Sequence, residues 1–200
     1  MNKQQRLARL RDLKVNYDPD APHRPEDGWR TDDYCEPLPS EPPGDPVEGG
    51  PFQAAQTLLR EYKVADPKLV RAFYDHDAEL EGRDMLLQLR FHGLFGLWSG
   101  CRVGRVVDER RVQDGRPVRV WGWPYQTLEG HIEQGQMTWE VWKWLDTGEV
   151  QFRIHSYSRN AGSLNPIFNL AFKLLGQHER RRYLRSACER MARMTAEALA

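Results

Sequence analysis

The feature that most constrains this chain is a change of apolar period. Segments between Met85 and Tyr157 place apolar side chains at every second residue, whereas from Asn165 onward they recur at helical spacing. A period of two marks a half-buried strand, and a period near 3.6 marks one face of a helix. "MLLQLRF" puts Met85, Leu87, Leu89 and Phe91 on one face. "CRVGRVV" does the same with Cys101, Val103 and Val107, broken by Arg105. "VRVWGWPYQTL" sets Trp121, Trp123 and Tyr125 on one side, and Gly122 and Pro124 predict a bulge or an edge there. "MTWEVWKW" and "VQFRIHSYS" flank "LDTGE", a hairpin turn. In the second of these strands Phe152, Ile154 and Ser156 face one way, and Arg153, His155 and Tyr157 the other.

The helical segment carries two stripes: Ile167, Leu170, Ala171, Leu174 and Leu175, then Leu184, Ala187, Cys188, Met191 and Met194. A straight helix from Asn165 to Ala198 would be about 51 Å long at 1.5 Å per residue. A compact chain of this size has a radius of gyration of about 16–17 Å, so a break or kink is expected near Gly176.

Upstream, Leu7, Leu10 and Leu13 predict a short amphipathic helix. Nine of the 13 prolines fall between Pro19 and Pro51, which excludes a helix or a central strand there. Tyr17, Trp29, Tyr34 and Leu38 interrupt that stretch, so it reads as an extended arm pinned by its aromatics. Residues 52–63 predict a helix with Phe52, Ala55, Leu58, Leu59 and Tyr62 on one face. "ADPKLVRAFYD" predicts a second helix, capped by Asp66 with Pro67 in its first turn. The order is thus arm, two helices, a meander of five or six strands, and a long helix. That is an α+β layer in which a curved antiparallel sheet grips the C-terminal helix. Residues 1–51 are the N-terminal helix and arm, and residues 52–200 the domain proper.

Composition narrows the function. Lys plus Arg and Asp plus Glu are 29 each, a balance that argues against a nucleic-acid partner. Residues 16–50 hold ten acids and two arginines, and residues 173–194 seven basic residues and two glutamates, so the arm could lie across the helix by charge. Cys35, Cys101 and Cys188 show no metal or disulfide spacing, which fits a reducing cytoplasm. The first residues lack the apolar core of a secretory signal, and no apolar run approaches a membrane span. No phosphate-binding loop, dinucleotide fingerprint, nucleophile elbow or zinc-protease motif occurs, and no cofactor or metal is expected.

Two stretches can carry chemistry. In "TLEGHIEQG", Gly130 and Gly135 bracket His131 and Glu133, which share one side if extended. A histidine near a carboxylate can hold a raised pKa and act as acid or base, so this pair is the candidate catalytic couple. The plainer alternative is a histidine bonded to backbone in a turn. In "FRIHSYSRN", Arg153, His155, Tyr157 and Arg159 could bind a carboxylate or phosphate, or be an outward face covered by the arm. Trp121, Trp123 and Tyr125, with Trp142 and Trp144 also at period two, predict cross-strand aromatic contacts on one face. Most would be core; the rest could line a ligand pocket. Arg180, Arg181, Arg182 and Arg185 could touch anionic lipid or nucleic acid, but the balanced charge of the chain favours a solvated face.

"YQTLEGHIEQGQMTWEVWKWLDTGEVQFRIHSYSRNAG" resembles the core of domain-of-unknown-function family nineteen-ninety. The matching positions are Tyr125, Thr127, Leu128, Gly130, His131, Glu133, Gly135, Tyr157, Ser158 and Arg159, with the early "NYDP" as a further likeness. Gln136 stands where the family often has glutamate. The resemblance implies a START-like, polyketide-cyclase-like fold with an apolar cavity between sheet and helix; it implies no activity. Three functions follow as expectations. The first is binding of a hydrophobic or amphipathic small molecule, with Trp121, Trp123, Tyr125, Arg153, His155, Tyr157 and Arg159 as ligand-binding residues. The second is a cyclase- or hydrolase-type enzyme using His131 and Glu133. The third is an interaction module whose groove is filled by its own arm. Oligomeric state is left open by the sequence.

Overall fold

The computed structural model describes residues 2–91, 95–162 and 166–200, apart from the side chains of 91, 95, 96 and 166–177. Among the described residues three α-helices, α1 (Lys3–Arg9), α2 (Pro51–Arg60) and α3 (Pro166–Glu197), accompany eight strands. The strands are β1 (Arg30–Leu38), β2 (Val70–Phe73), β3 (Asp84–Phe91), β4 (Phe95–Val103), β5 (Val107–Gln113), β6 (Arg116–Thr127), β7 (Glu133–Trp144) and β8 (Val150–Asn160). Among the described residues they form one antiparallel sheet in the order β1-β8-β7-β6-β4-β3-β2, with β5 also on β6. The sheet curves around α3: an α+β helix-grip architecture.

The strand count exceeds the expected five or six, for three reasons. First, the segment after Asp66 is not a helix. Asp66 Oδ1 accepts from Lys68 N at 2.8 Å, and its carbonyl accepts from Leu69 N and Val70 N at 2.9 and 2.8 Å. That closes a single turn, after which Val70–Phe73 pair with Leu86–Leu89. Pairing and burial of Val70 outweigh a weak local helix signal. Second, the arm supplies β1, paired along its length with β8. Pro37 is tolerated because β1 is an edge. Third, the stretch read as one strand around Arg105 is the gap between β4 and β5.

Gly122 and Pro124 mark neither a bulge nor an edge, since β6 keeps continuous register with β7 from Val118↔Trp144 to Gln126↔Gln136. On its other side β6 pairs with β5 up to Gly122 and with β4 from Tyr125. Pro124, which has no N–H to offer, falls where one neighbour hands over to the other; its carbonyl accepts from Gly104 N at 2.8 Å.

The main core lies between the concave face and the helices. Met85, Leu87, Cys101, Val103, Trp121, Trp123, Trp139 and Phe152 pack there with Phe52, Leu59, Leu184 and Met191. Trp123 sits opposite Trp139, which stacks on Phe152. Trp142 and Trp144 correct the single-face expectation: they are buried on the opposite face with Val118 and Val120, under Arg111, Arg116 and Arg153. The shift is simple parity, because Trp139 and Trp142 are an odd number of residues apart on one strand. A third cluster seats Leu10 on Leu86 and Leu128.

α3 runs through Gly176 without interruption, so the expected break is absent. Leu184, Ala187, Cys188 and Met191 face the core as the second stripe requires. The side chains of Phe91 and of the first stripe, Ile167, Leu170, Ala171, Leu174 and Leu175, lie outside the described part. Among the described residues no helix is long and apolar enough to cross a membrane.

Candidate ligand-binding site

The end of the sheet beyond Tyr125 and Met137 is not filled by the described core. A cavity of about 120 Å³ opens there between the concave face and α3. Its apolar walls are Leu87 and Leu89 from β3, Val70 from β2, Ile132 before β7, Met137 from β7 and Tyr183 from α3. The polar part of the lining includes Arg90, Tyr125, His131, Glu133, Gln136, Glu179 and Arg180.

The turn between β6 and β7 builds one polar wall. His131 N donates to Leu128 O at 3.0 Å, closing the turn, and His131 Nδ1 accepts from Glu133 N at 3.0 Å. The ring proton therefore sits on Nε2. Burial pushes the His131 pKa down to about 4, aided by Arg180 and only partly offset by the Glu133 backbone. The expectation of a raised pKa is thus corrected: the ring meets a backbone amide, and removal from water favours its neutral form.

Glu133 turns to Arg180 instead. Arg180 Nη1 lies 2.9 Å from Glu133 Oε2, its Nε 2.7 Å from Asp32 Oδ2, and its Nη2 donates to Ser156 Oγ at 2.8 Å. One guanidinium so ties α3 to β1, β7 and β8. Burial opposes its charge, yet Glu133 and Asp32 outweigh that and raise its pKa. Through Asp32 the acidic arm makes an ion pair with the basic helix.

The early "NYDP" completes the same corner. Thr127 Oγ1 donates to Asn16 Oδ1 at 2.6 Å and accepts from Gly135 N at 2.9 Å. Asn16 Nδ2 donates to Glu133 O at 3.0 Å, and Gln134 Nε2 donates to Asn16 O at 2.6 Å. Gly135 has φ +148°, and a Cβ there would meet Tyr157 O at 2.1 Å, so only glycine lets β8 approach this closely. Asn16 and Arg180 were not singled out as site residues by the sequence. Asn16 had a signal in "NYDP"; Arg180 was hidden in a run of arginines.

The remaining candidates divide by face. Tyr125, His131 and Glu133 line the cavity, whereas Trp121 and Trp123 are buried deeper in the core and are not among its described lining. Arg153, His155, Tyr157 and Arg159 alternate onto the convex face, away from it. Arg153 covers Trp142, and His155 Nδ1 is 2.7 Å from Asp33 Oδ1. Tyr157 stacks on His23, and Arg159 lies over Trp29 while its Nε donates to Gln134 Oε1 at 2.8 Å. The arm thus covers that face, and no arm residue is among the described lining of the cavity. The reading of a groove filled by its own arm is corrected accordingly.

The profile of the family described as "Domain of unknown function (DUF1990)" matches residues 15–186. No curated protein matches the chain. Solved structures with similar folds include Ara h 8.0201, at 8% identity and TM-score 0.44, covering 85% of this chain and 99% of that one. A hypothetical protein from Helicobacter pylori has 12% identity and TM-score 0.43, over 90% and 98%. The di-domain ARO/CYC StfQ from the steffimycin biosynthetic pathway has 10% identity and TM-score 0.45, over 84% of this chain and 51% of that one.

Proposed function

The chain belongs to the family described as Domain of unknown function (DUF1990), a description that assigns no activity, and on the geometry of its site we propose that it binds a small hydrophobic or amphipathic molecule between sheet and α3. The observation that carries this reading is the cavity itself: a largely apolar chamber at the open end of the sheet, with a few polar groups from the strands, the β6–β7 turn and α3 in its lining. Such a combination is the usual form of a small-molecule site. At about 120 Å³ the chamber takes a small ring or a short alkyl segment, by comparison with the roughly 150 Å³ cavity that holds benzene.

His131 and Glu133 fit this role better than acid-base work. His131 is neutral near pH 7 and already holds a backbone amide, and the Glu133 carboxylate is held by Arg180. Both then shape the polar wall. Methyl-resolved NMR during titration with n-hexanol tests the reading. Saturable shifts are expected at Leu87, Ile132 and Met137, and they should vanish in Leu87→Trp, which fills the chamber. Absence of saturable shifts in the wild type, or the same shifts in Leu87→Trp, would refute it.

A further inference from the structure

Two arginines, Arg90 and Arg180, and two glutamates, Glu133 and Glu179, line the cavity, and further arginines stand beside it. Arg180 is matched by Asp32 and Glu133. Leu69, however, lines both the cavity and a neighbouring surface hollow on α3. That hollow is formed by His178, Arg181, Arg182 and Arg185, with Asp66 and Glu189 as its acids. Asp66 Oδ1 is engaged by Lys68 N at 2.8 Å, and Arg182 lies 3.7 Å from Glu179. Arg181 and Arg185 have no ion-pair partner among the described residues, and they are exposed one turn apart on a single helix face. Half-buried Arg90 lines the cavity and likewise has no ion-pair partner among the described residues.

Exposed arginines on a helix are ordinarily only solvated. Here they line a hollow that shares Leu69 with the apolar chamber, and a ligand whose apolar part fills that chamber would carry its polar end out past Leu69 toward them. We propose that the site selects monomeric anionic amphiphiles, with a carboxylate or phosphate head held by Arg181 and Arg185, Arg90 beside it, and the apolar tail in the chamber. This rests on the reading of the cavity as a ligand site. The planar donor fork of arginine suits both head groups.

The experiment compares octanol, octanoate and octyl phosphate near neutral pH and at low salt, by amide-resolved NMR titration. All three should shift the resonances of Leu87 and Met137, with the two anions binding about tenfold tighter than the alcohol, the gain of one charge-assisted contact. The charge reversal Arg181→Glu/Arg185→Glu, at exposed positions, should leave the spectrum folded and the octanol affinity unchanged while removing the preference. Added salt should shrink the preference in the wild type. Octanol binding as tightly as the anions, or a preference that survives the reversal, would overturn the head-group assignment and leave the cavity reading standing. If none of the three ligands shifts cavity resonances, the cavity reading fails and this proposal fails with it. Binding to phosphatidylglycerol vesicles without binding of octyl phosphate would also overturn it, because the arginines would then serve a membrane surface.

Discussion

The arm is clasped to the β7–β8 hairpin by a buried charge pair, and removing one partner should destabilise the whole domain. Lys143 and Glu41 have side-chain exposures of 0% and 2%, with Nζ 3.0 Å from Oε1. The approach is too oblique to be a hydrogen bond; Nζ instead donates to Asp45 O at 2.8 Å. Glu41 Oε2 accepts from Val47 N at 3.2 Å. Lys143→Met keeps the aliphatic stem but leaves a buried carboxylate without its cation, at a cost of about 3–5 kcal/mol. That is a large share of the roughly 5–15 kcal/mol that holds a domain folded. At about 2–4 °C per kcal/mol for a chain of this size, the melting temperature should fall by roughly 6–20 °C. Lys143→Met/Glu41→Gln removes both charges and should recover much of the loss, so the two single effects should exceed the double by about 2 kcal/mol or more. Urea unfolding followed by tryptophan fluorescence and far-ultraviolet dichroism measures all four proteins, and raising the salt should barely change the difference because the pair is dry. A Lys143→Met loss below about 1 kcal/mol, or additive single effects, would refute the argument, since either means that water or backbone already satisfies Glu41.

Two further outcomes follow from the same structure. Because His131 is held neutral when folded, with its pKa lowered from 6.5 to about 4, the unfolded chain takes up its proton first as the pH falls; about 3 kcal/mol of stability present above pH 6.5 should be lost on the way down to pH 4. Asn at position 131 can still accept from Glu133 N but cannot titrate, so His131→Asn should flatten that limb, and parallel stability–pH profiles would exclude the assignment. Gly148 has φ +78° and a Cβ there would meet Glu41 O at 1.8 Å, whereas Gly115, at φ +76°, has nothing within 4 Å. Gly115→Ala should cost about 1–2 kcal/mol from backbone conformation alone, and Gly148→Ala clearly more in the same urea assay; equal losses would mean the arm moves aside freely.

How far the fold was legible depends on whether its determinants were local. The period-two segments at β3, β6, β7 and β8 and the α3 stripe from Leu184 to Met191 were readable because each writes its burial into its own sequence. β1 and β2 were not. "RTDDYCEPL" has little apolar alternation and a proline, and becomes a strand because β8 offers it an edge. Val70–Phe73 followed a plausible helix cap, and only the partner strand β3 decided otherwise. Trp142 and Trp144 were assigned to the wrong face because period two fixes alternation within a strand, while the face that becomes the core depends on what packs against it.

The candidate site divides along the same line, and the division explains its chemistry. His131 and Glu133 were visible because their turn is local, but what they do is set by distant residues: Asn16 holds the backbone beside them, and Arg180 takes up the Glu133 carboxylate. Asp32, brought in by a strand that the sequence hid, supplies the second negative charge against Arg180. With two carboxylates facing one guanidinium, this wall of the chamber carries no net cation. On the proposed reading, an anionic head turns from that wall toward Arg90 at the lining and Arg181 and Arg185 beside it, none of which has an ion-pair partner among the described residues. On that same reading, the arm shapes selectivity without lining the cavity: Asp32 helps to neutralise Arg180, which leaves the chamber to an apolar tail and the surface to an anionic head.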